Sequence, residues 1–360
     1  LHSFSCFGNQ LTSLDVSNNI ALSYFQLHGN ELTSLDLSSN TALTRVAIED
    51  NQLTYLNMKN GLTDQLTEFK ANGNSLTCIE TLDPDWATAN WTSANNNIDA
   101  GVTFDVICGA AARTHWYVDT TGSDITGSGT LASPLSSIQT AINAATDGDT
   151  VSVAAGTYVE NLVFGGKNLS LIGADSSNTI IDGNSVSQVI NLNNGEDSTT
   201  VIKNFTLRNG IGWENNGSAI LMGGGDYGPK LENLCITQNS FSTGGNAITS
   251  FGSTFSLKNS RIINNYGRAL SIQGTQLSTI DNVIVSGNAK GIEVITASPT
   301  FTNVTISNHT TDQNGGGINS ENSTLTIENS IIDNNTSSEK GGGIYCRDNS
   351  ILTINNTTIS

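Results

Sequence analysis

Apolar residues recur at fixed intervals along the chain, separated by stretches rich in Asn, Ser, Thr and Gly. Near the N-terminus, the segments GNQLTSLDVSNN, GNELTSLDLSSN and DNQLTYLNMKN place Leu at alternating positions before an Asn turn. Such alternation is typical of a short strand with one face in a core. Asn9, Asn30, Asn51 and Asn74 recur at spacings of 21, 21 and 23 residues. The pattern predicts stacked coils whose asparagines bond the backbone of their own and adjacent coils.

A second repeat begins near residue 202. One asparagine recurs per coil at spacings of 29, 26, 23, 21, 26 and 27 residues: Asn204, Asn233, Asn259, Asn282, Asn303, Asn329 and Asn356. An apolar residue lies two positions before and three positions after each one, so both apolar columns are expected to face inward. A third column follows small-residue corners: Ile220, Ile248, Leu270, Ile292, Ile318 and Ile344. Three strands per coil predict a three-sided parallel β-helix, in which each covered side chain contributes roughly 1.5 to 3 kcal/mol.

Two segments have the pattern of caps rather than coils. Between residues 116 and 183, Ile138, Ala141, Ile142 and Ala145 lie at helical spacing, which predicts a short helix closing the end of the β-helix. After Asn74 the first repeat lapses into a stretch containing Trp86 and Trp91. We expect these indoles to cover the last open coil, with an aromatic platform for sugar rings as the alternative.

These motifs carry family resemblances. The repeats up to about residue 80 resemble the short, 21-residue leucine-rich repeats of secreted bacterial proteins. PLSSIQTAI, DGDTVSVAAGTYVENL and IIDG resemble the start of pectate-lyase-like right-handed β-helix proteins, and the GGGIN and GGGIY coils resemble bacterial surface adhesins. The resemblance implies a mostly β fold with a leucine-rich-repeat module at 1–108 and a right-handed parallel β-helix at 113–360. Within the latter, a capping region with a short helix occupies 113–183 and regular coils occupy 200–360.

Composition and charge exclude several partners. Only 36% of residues are apolar and 13% charged, a balance that indicates disorder unless it is periodic, as it is here. The net charge of -18 disfavours nucleic acid and anionic membrane surfaces. The chain contains no run of about 18 apolar residues, so the sequence does not predict a membrane-spanning helix. Because the chain opens inside one repeat and stops inside another, we expect it to be part of a longer protein.

The cysteines do not form a metal or redox motif. Five are scattered, with no CxxC pair and no ligand-like His spacing: Cys6, Cys78, Cys108, Cys235 and Cys346. We expect free, partly buried thiols, with a disulfide between Cys78 and Cys108 as the alternative.

The position before each Asn of the second repeat carries alternating charge. It reads Lys203, Glu232, Lys258 and Asp281 over the first four coils. This favours cross-coil ion pairing worth at most about 1 kcal/mol per exposed pair. The catalytic alternative makes Lys258 the base of a polysaccharide lyase, with Arg261 or Arg268 neutralising a uronate.

The ligand-binding candidates are Arg268, Lys290, Trp213 and Tyr227. Arg268 and Lys290 occupy equivalent sites in adjacent coils, where two cations repel unless splayed side chains, nearby carboxylates or an anionic ligand such as sulfate or uronate relieves the repulsion. Trp213 and Tyr227 lie in loops, where exposed aromatics stack on sugars or plug gaps between coils.

The sequence lacks the catalytic residues that β-helix hydrolases require. Polygalacturonase-like hydrolases need clustered Asp with Gly-His-Gly and Arg-x-Lys, which are absent. His309, the only His of the coils, is expected in a solvated turn. No metal ligands or cofactor are assigned. Calcium is the alternative cofactor, through acids dispersed in the sequence: Asp147, Asp149, Asp175, Asp182 and Asp226.

The sequence therefore favours a non-catalytic, adhesin-like protein, secreted or displayed on the outer cell surface, that binds extracellular polysaccharide or surface proteins. The alternative is a lyase acting on an acidic glycan, and a third hypothesis is a purely spacing role. Proteins that pair these two modules resemble cargo of the type 9 secretion route, which implies the secretion machinery as a further partner.

Overall fold

The computed structural model describes residues 1–109, 113–212, 216–223, 228–241, 245–274 and 277–360. Short parallel strands dominate it, and the chain divides into two compact units. Unit 1 comprises Leu1–Arg113, Gly122–Ser136 and Thr140–Ala144. Unit 2 comprises Thr114–Thr121, Ser137–Gln139 and Ala145–Ser360. Between residues 114 and 145, successive segments of the chain are assigned alternately to the two units. The domain boundaries proposed from the sequence stay a prediction.

Unit 1 is built from three-residue strands in two parallel sheets, ordered β1-β2-β4-β6 and β3-β5-β7-β8. The strands are β1 Ser3–Ser5, β2 Tyr24–Gln26, β3 Ser34–Asp36, β4 Arg45–Ala47, β5 Tyr55–Asn57, β6 Glu68–Lys70, β7 Cys78–Glu80 and β8 Thr103–Asp105. Helix α1 spans Pro84–Asn90, and a 3-10 turn follows at Ser93–Asn95. The central residue of each strand faces the core, as the alternation of Leu predicts.

The asparagines of unit 1 connect successive coils through the backbone. The Asn51 Nδ2 donates to the Leu27 carbonyl oxygen at 3.0 Å and to the Ile48 carbonyl oxygen at 3.2 Å, and its Oδ1 accepts from the Leu32 N–H at 3.1 Å. Asn30 and Asn74 repeat this arrangement. The side chains satisfy backbone groups that the coil buries, as expected from the repeat. Assignment of the unit to the leucine-rich repeats stays a prediction.

The stretch after the last regular coil of unit 1 packs against the core. Trp91 is buried and stacks on Phe69 with ring centroids 4.0 Å apart. The Asp83 Oδ1 accepts from the Trp86 N–H at 3.0 Å and caps α1, with Pro84 at its first turn. The cap interpretation therefore holds for Trp91, whereas Trp86 is only half-buried.

A disulfide joins Cys78 to Cys108, with the Cα atoms 5.8 Å apart. The expectation of free thiols is therefore wrong for this pair. Spacing in the sequence does not reveal whether two Cα atoms come within bridging distance, and here Cys108 follows strand β8, which pairs with β7. Cys6, Cys235 and Cys346 are free.

Unit 2 is a parallel β-solenoid that contains most of the strands. Its first part has β9 His115–Val118, β10 Thr150–Val153, β11 Gly156–Val159, β12 Leu162–Val163, β13 Ser170–Gly173, β14 Thr179–Asp182 and β15 Ile190–Leu192. Helix α2, Ile138–Ala144, has residues assigned to both units. The next coils have β16 Val201–Arg208, β17 Ile211–Gly212, β18 Gly217–Gly223, β19 Lys230–Thr237, β20 Ser240–Phe241, β21 Asn246–Phe251, β22 Ser256–Ile263, β23 Arg268–Gln273, β24 Thr279–Ser286 and β25 Lys290–Ile295.

The remaining coils have β26 Thr300–Thr302, β27 Thr305–Ser307, β28 Thr310–Thr311, β29 Ile318–Glu321, β30 Thr324–Glu328, β31 Ile331–Asp333, β32 Thr336–Ser337, β33 Ile344–Arg347, β34 Ile351–Asn355 and β35 Thr358–Ile359. One face is the sheet β12-β15-β18-β21-β23-β25-β29-β33, which we call the third face. The other two faces belong to one sheet, because β16, β19, β22 and β24 run across the corner between them.

Each corner is formed by the asparagine of the second repeat in the left-handed conformation. Asn204, Asn233, Asn259 and Asn282 have φ between 49° and 68°, a region that Asn tolerates better than other side chains. The Asn233 Nδ2 donates to the Asn204 Oδ1 at 2.9 Å, and the Asn282 Nδ2 donates to the Asn259 Oδ1 at 2.8 Å. The predicted stacking of these residues is confirmed.

The three predicted apolar columns face the interior. Ile202, Leu207 and Ile220 begin the columns and are buried, as are their successors up to the coil before last. Ile354 and Ile359 depart from this pattern at 39% and 45% exposure because they lie in the final coil. The helix stripe of Ile138, Ala141, Ile142 and Ala145 is buried as well.

A further column, mostly of asparagines, lies inside the solenoid, six positions after each of the five corners from Asn233 to Asn329. It contains Asn239, Asn265, Asn288, His309 and Asn335. The Asn265 Oδ1 accepts from the Asn239 N–H, and its Nδ2 donates to the Ile236 carbonyl oxygen, both at 3.0 Å. His309 is fully buried in this column. The expectation of a solvated His309 is therefore wrong, because its ring replaces an amide that the coil needs.

Neither helix in the described part of the chain is long and apolar enough to cross a membrane.

Candidate functional site

The basic residues singled out in the sequence lie on two different sheets. Lys258 and Arg261 are exposed on β22, whereas Arg268 begins β23 on the third face. Lys258 lies in register between Glu232 and Asp281, as the alternating charges predict. Among the described residues, no hydrogen bond or ion pair joins Arg268 to Lys258 or Arg261. The geometry does not bring together the three cations of the lyase hypothesis.

Arg268 and Lys290 are direct neighbours on the third face. They pair in register at the start of β23 and β25. Glu293 follows on β25 between the buried Ile292 and Val294, so its side chain points away from the core. The Arg268 Nη2 lies 3.0 Å from the Glu293 Oε1, and the Ser271 Oγ donates to the Glu293 Oε2 at 3.1 Å. The guanidinium therefore lies on the outer surface of the third face.

The Arg268 and Glu293 side chains are largely shielded from solvent, although they lie on an outer face. The side chains of Arg268 and Glu293 are only 11% and 18% exposed. Burial lowers the pKa of Arg268, and the neighbouring Glu293 carboxylate opposes the shift. Burial and the Arg268 charge lower the pKa of Lys290, against the opposing effect of Asp312 and Glu293. We call Arg268, Lys290, Glu293 and Ser271 the third-face cluster.

Aromatic and amide side chains border the third-face cluster. Tyr266, two residues before Arg268, is 66% exposed. The Gln273 Nε2 donates to the Ser271 Oγ at 3.0 Å. The predicted platforms Trp213 and Tyr227 lie outside the described residues, so their placement stays a prediction. Tyr266 is an exposed aromatic that lies close to Arg268 in the chain.

The described acids considered for calcium bond other groups of the protein. The Asp149 Oδ2 accepts from the Trp116 indole N–H, Asp175 caps its own turn through Ser177, and Asp182 pairs with Arg208. The Asp147 Oδ1 accepts from the Asn168 N–H. Asp226 lies outside the described residues. Within the described ranges, no group of three or more His, Cys, Asp or Glu is arranged to hold a metal ion, so no metal site is assigned.

Sequence reasoning missed Glu293 and Tyr266. The signal for Glu293 was its place one residue after Ile292 in the third apolar column, which sets it on the outer surface three residues beyond Lys290. The pairing of β23 with β25 decides which cation Glu293 contacts. That pairing depends on the register between coils and cannot be deduced from the sequence of either strand alone. Tyr266 carried no comparable signal because its corner segment is not periodic.

The third-face cluster contains two cations and one carboxylate, and therefore both hydrogen-bond donors and acceptors. Arg268 and Lys290 supply nitrogens and Glu293 supplies oxygens, whereas Ser271 is buried and holds the Glu293 carboxylate. Sugar hydroxyls both donate and accept hydrogen bonds, so such a mixed surface matches them. A strongly anionic group would have to compete with Glu293 for Arg268.

A comparison with protein families agrees with this architecture. A family profile described as right-handed β-helix region matches residues 170–329 and, in a second match, residues 252–360, which together exceed half of the chain. The chain belongs to the right-handed β-helix family. The predicted handedness and parallel topology of unit 2 are thereby confirmed, and the third-face cluster lies within the matched region of this right-handed β-helix.

Solved structures similar to this right-handed β-helix include two lyases and a methylesterase. A rhamnogalacturonan lyase is 15% identical, with a TM-score of 0.46 over 61% of this chain and 68% of its own. A pectate lyase is 14% identical, with a TM-score of 0.41 over 70% and 80%. Pectin methylesterase from carrot is 11% identical, with a TM-score of 0.34 over 70% and 84%. No curated protein matches the chain. At these scores no reaction is transferred.

Proposed function

We propose that the protein binds extracellular glycan, without cleaving it, through the third-face cluster and the adjoining Tyr266. The observation that carries this proposal is the covered ion pair between Arg268 and Glu293 beside a second cation on an outer face. Buried ion pairs contribute little to stability because desolvation offsets their attraction. Groups of this kind with perturbed pKa values are concentrated at functional sites.

The charge balance favours hydroxyl-rich ligands over strongly acidic ones. Glu293 and Asp312 offset the two cations, and the net charge of -18 repels polyanions at long range. Planar polar side chains beside an exposed tyrosine suit a sugar. The tyrosine ring can stack on the face of the sugar, while amide and carboxylate groups bond the sugar hydroxyls. These features support an uncharged or weakly charged glycan.

An extracellular location is part of the proposal. The disulfide between Cys78 and Cys108 supports it, because disulfides persist in oxidising compartments. Adhesion to a surface and export by the type 9 secretion route remain proposals that rest on the sequence resemblance alone.

Electrophoresis in native gels containing soluble polysaccharides tests the binding. We expect retardation by at least one of xyloglucan, galactomannan and mixed-linkage β-glucan. Tyr266→Ala and Lys290→Ala should each weaken it about tenfold, the loss of one good contact. Lys258→Ala, a cation on another sheet, is the matched control. If Lys258→Ala weakened binding as much as Lys290→Ala, the third-face cluster would not be the site.

A second candidate function is polysaccharide lyase activity at the same place. It is favoured by the lowered pKa of Lys290 directly beside Arg268, since a lyase needs a base next to a group that stabilises an enolate. Incubation with alginate and polygalacturonate, followed by ultraviolet absorbance of unsaturated products, distinguishes the two. Product that disappears in Lys290→Ala would overturn the non-catalytic proposal.

A further inference from the structure

We infer that unit 1 has its own sugar-binding site, in a cavity beside Trp86 that takes an uncharged hexopyranose unit. The cavity has a volume of about 410 Å³, within the range of roughly 300 to 1,000 Å³ that small-ligand sites occupy. Its walls come from strand β6, helix α1 and the segment that follows α1. The inference takes only the class of ligand, a glycan, from the proposed function.

Trp86 forms the apolar wall of this cavity. The indole is half-buried and meets Trp91 edge-on, with ring planes at 88° and centroids 5.9 Å apart. One side therefore packs against the core cluster, and the ring also lines the cavity. Trp91 is fixed by its stack on Phe69, so Trp86 has a rigid support. A rigid, partly exposed indole is the side chain best suited to stack on the C–H face of a pyranose.

Charged groups on β6 supply fixed polar contacts. The Lys70 Nζ lies 3.4 Å from the Glu68 Oε1, and the Arg45 Nε approaches the Glu68 Oε2. Arg45 also lies over the ring of Tyr24, 5.0 Å from its centroid. These contacts hold the Glu68 carboxylate in place while its oxygens retain acceptor capacity. The two charged residues that line the cavity, Lys70 and Glu68, cancel in charge, which suits hydroxyl groups better than a phosphate or a sulfate.

Asn90 and Asn95 also line the cavity. The Asn90 Nδ2 donates to the Trp86 carbonyl oxygen at 2.8 Å, which leaves its Oδ1 as an acceptor. Asn95 is exposed, and within the described ranges its side-chain amide has no hydrogen-bond partner. By contrast, Asn97 bonds the backbone at both ends of its amide and only supports the wall. Donors and acceptors thus surround an indole, as sugar recognition requires.

The experiment uses the full chain, with intrinsic tryptophan fluorescence and native gels containing xyloglucan, galactomannan or mixed-linkage β-glucan. Binding should change the fluorescence and retard migration. Trp86→Ala should raise the Kd at least about tenfold, as expected for loss of an aromatic anchor. Asn95→Ala, which removes no side-chain hydrogen bond within the described ranges, should weaken binding without altering the circular dichroism spectrum. Phe7→Ala, an exposed aromatic of unit 1 that stacks on His28, is the matched control.

The outcomes separate this inference from the proposed function. Weaker binding in both Trp86→Ala and Asn95→Ala supports the unit 1 site, even if Lys290→Ala and Tyr266→Ala bind normally and the third-face proposal fails. Unchanged binding in Asn95→Ala and Trp86→Ala, or equal weakening by Phe7→Ala, would overturn it. Absence of retardation by all three neutral polysaccharides would overturn it as well.

Discussion

Unit 1 and unit 2 both connect their coils through asparagines, but they use the amide in different ways. In unit 1 the column represented by Asn51 bonds only backbone groups of its own and adjacent coils, and the buried Asn40 likewise bonds backbone carbonyls of the adjacent coil. Unit 2 has two columns. The corner asparagines such as Asn282 are exposed and bond side chains of adjacent coils, whereas Asn265 and its equivalents are buried and bond the backbone as well as one another. Burial, rather than repetition of the residue, decides how much each amide contributes.

The largest effect should come from removing a buried amide. Asn265→Ala leaves the Asn239 N–H and the Ile236 carbonyl oxygen without their partners inside the solenoid. Each orphaned buried group costs roughly 1 to 3 kcal/mol, so we expect a loss of about 4 kcal/mol in the free energy of unfolding. Urea unfolding measures the loss, and hydrogen exchange at the Asn239 amide locates it.

Asn259→Ala is the matched control on a corner. Its side chain is exposed and bonds Glu232 and Asn282, so the loss should be about 1 kcal/mol, the cost of placing Ala in the left-handed region at φ 50°. Equal losses for the two variants would show that the comparison between exposed and buried columns is mistaken.

A covalent crosslink stabilises unit 1 in addition to its asparagines. The disulfide between Cys78 and Cys108 closes a loop of 30 residues across strands β7 and β8. In the chain-entropy account, a loop of this size contributes about 3.6 kcal/mol. The double variant Cys78→Ala/Cys108→Ala should therefore unfold unit 1 at lower urea concentration, with faster hydrogen exchange in β7 and β8. Cys6→Ala, a free cysteine of the same unit, is the control. Unchanged exchange in β7 and β8 would contradict the prediction.

The sequence predicts coils better than it predicts contacts between side chains of different chemistry. Corner asparagines and apolar columns could be recognised because every coil repeats them, and stacking makes each residue the neighbour of its equivalent. The buried column, at a constant six positions after each of the five corners from Asn233 to Asn329, was equally readable but is interrupted by His309. The pair Arg268 and Glu293 was not predicted, since it joins different positions of two coils.

His309 tests how strictly the buried column needs a neutral amide. Its Nδ1 lies 2.8 Å from the Asn335 Oδ1, and its Nε2 lies 3.3 Å from the Asn288 Nδ2. The neutral ring fits, because Nδ1–H donates to the carbonyl oxygen while Nε2 accepts from the amide. A second ring proton would point at the Asn288 amide hydrogens. Burial lowers the pKa of His309 below its ordinary 6.5, although the bond to Asn335 opposes the shift.

The smallest of the three expected effects is therefore a dependence of stability on pH. Because the folded-state pKa is lowered, the contribution of His309 is complete above pH 6.5 and is lost as the pH falls below that value towards the folded-state pKa. A single proton limits the slope to about 1.4 kcal/mol per pH unit. His309→Asn, which restores the residue of the column, should be less sensitive to acid than the parent chain in urea unfolding followed across this range. The exposed His115 provides the control variant His115→Asn. If His309→Asn and the parent chain lost stability in parallel below pH 6.5, the ring would be tolerated in its charged form, and the buried column of unit 2 would not require neutral side chains.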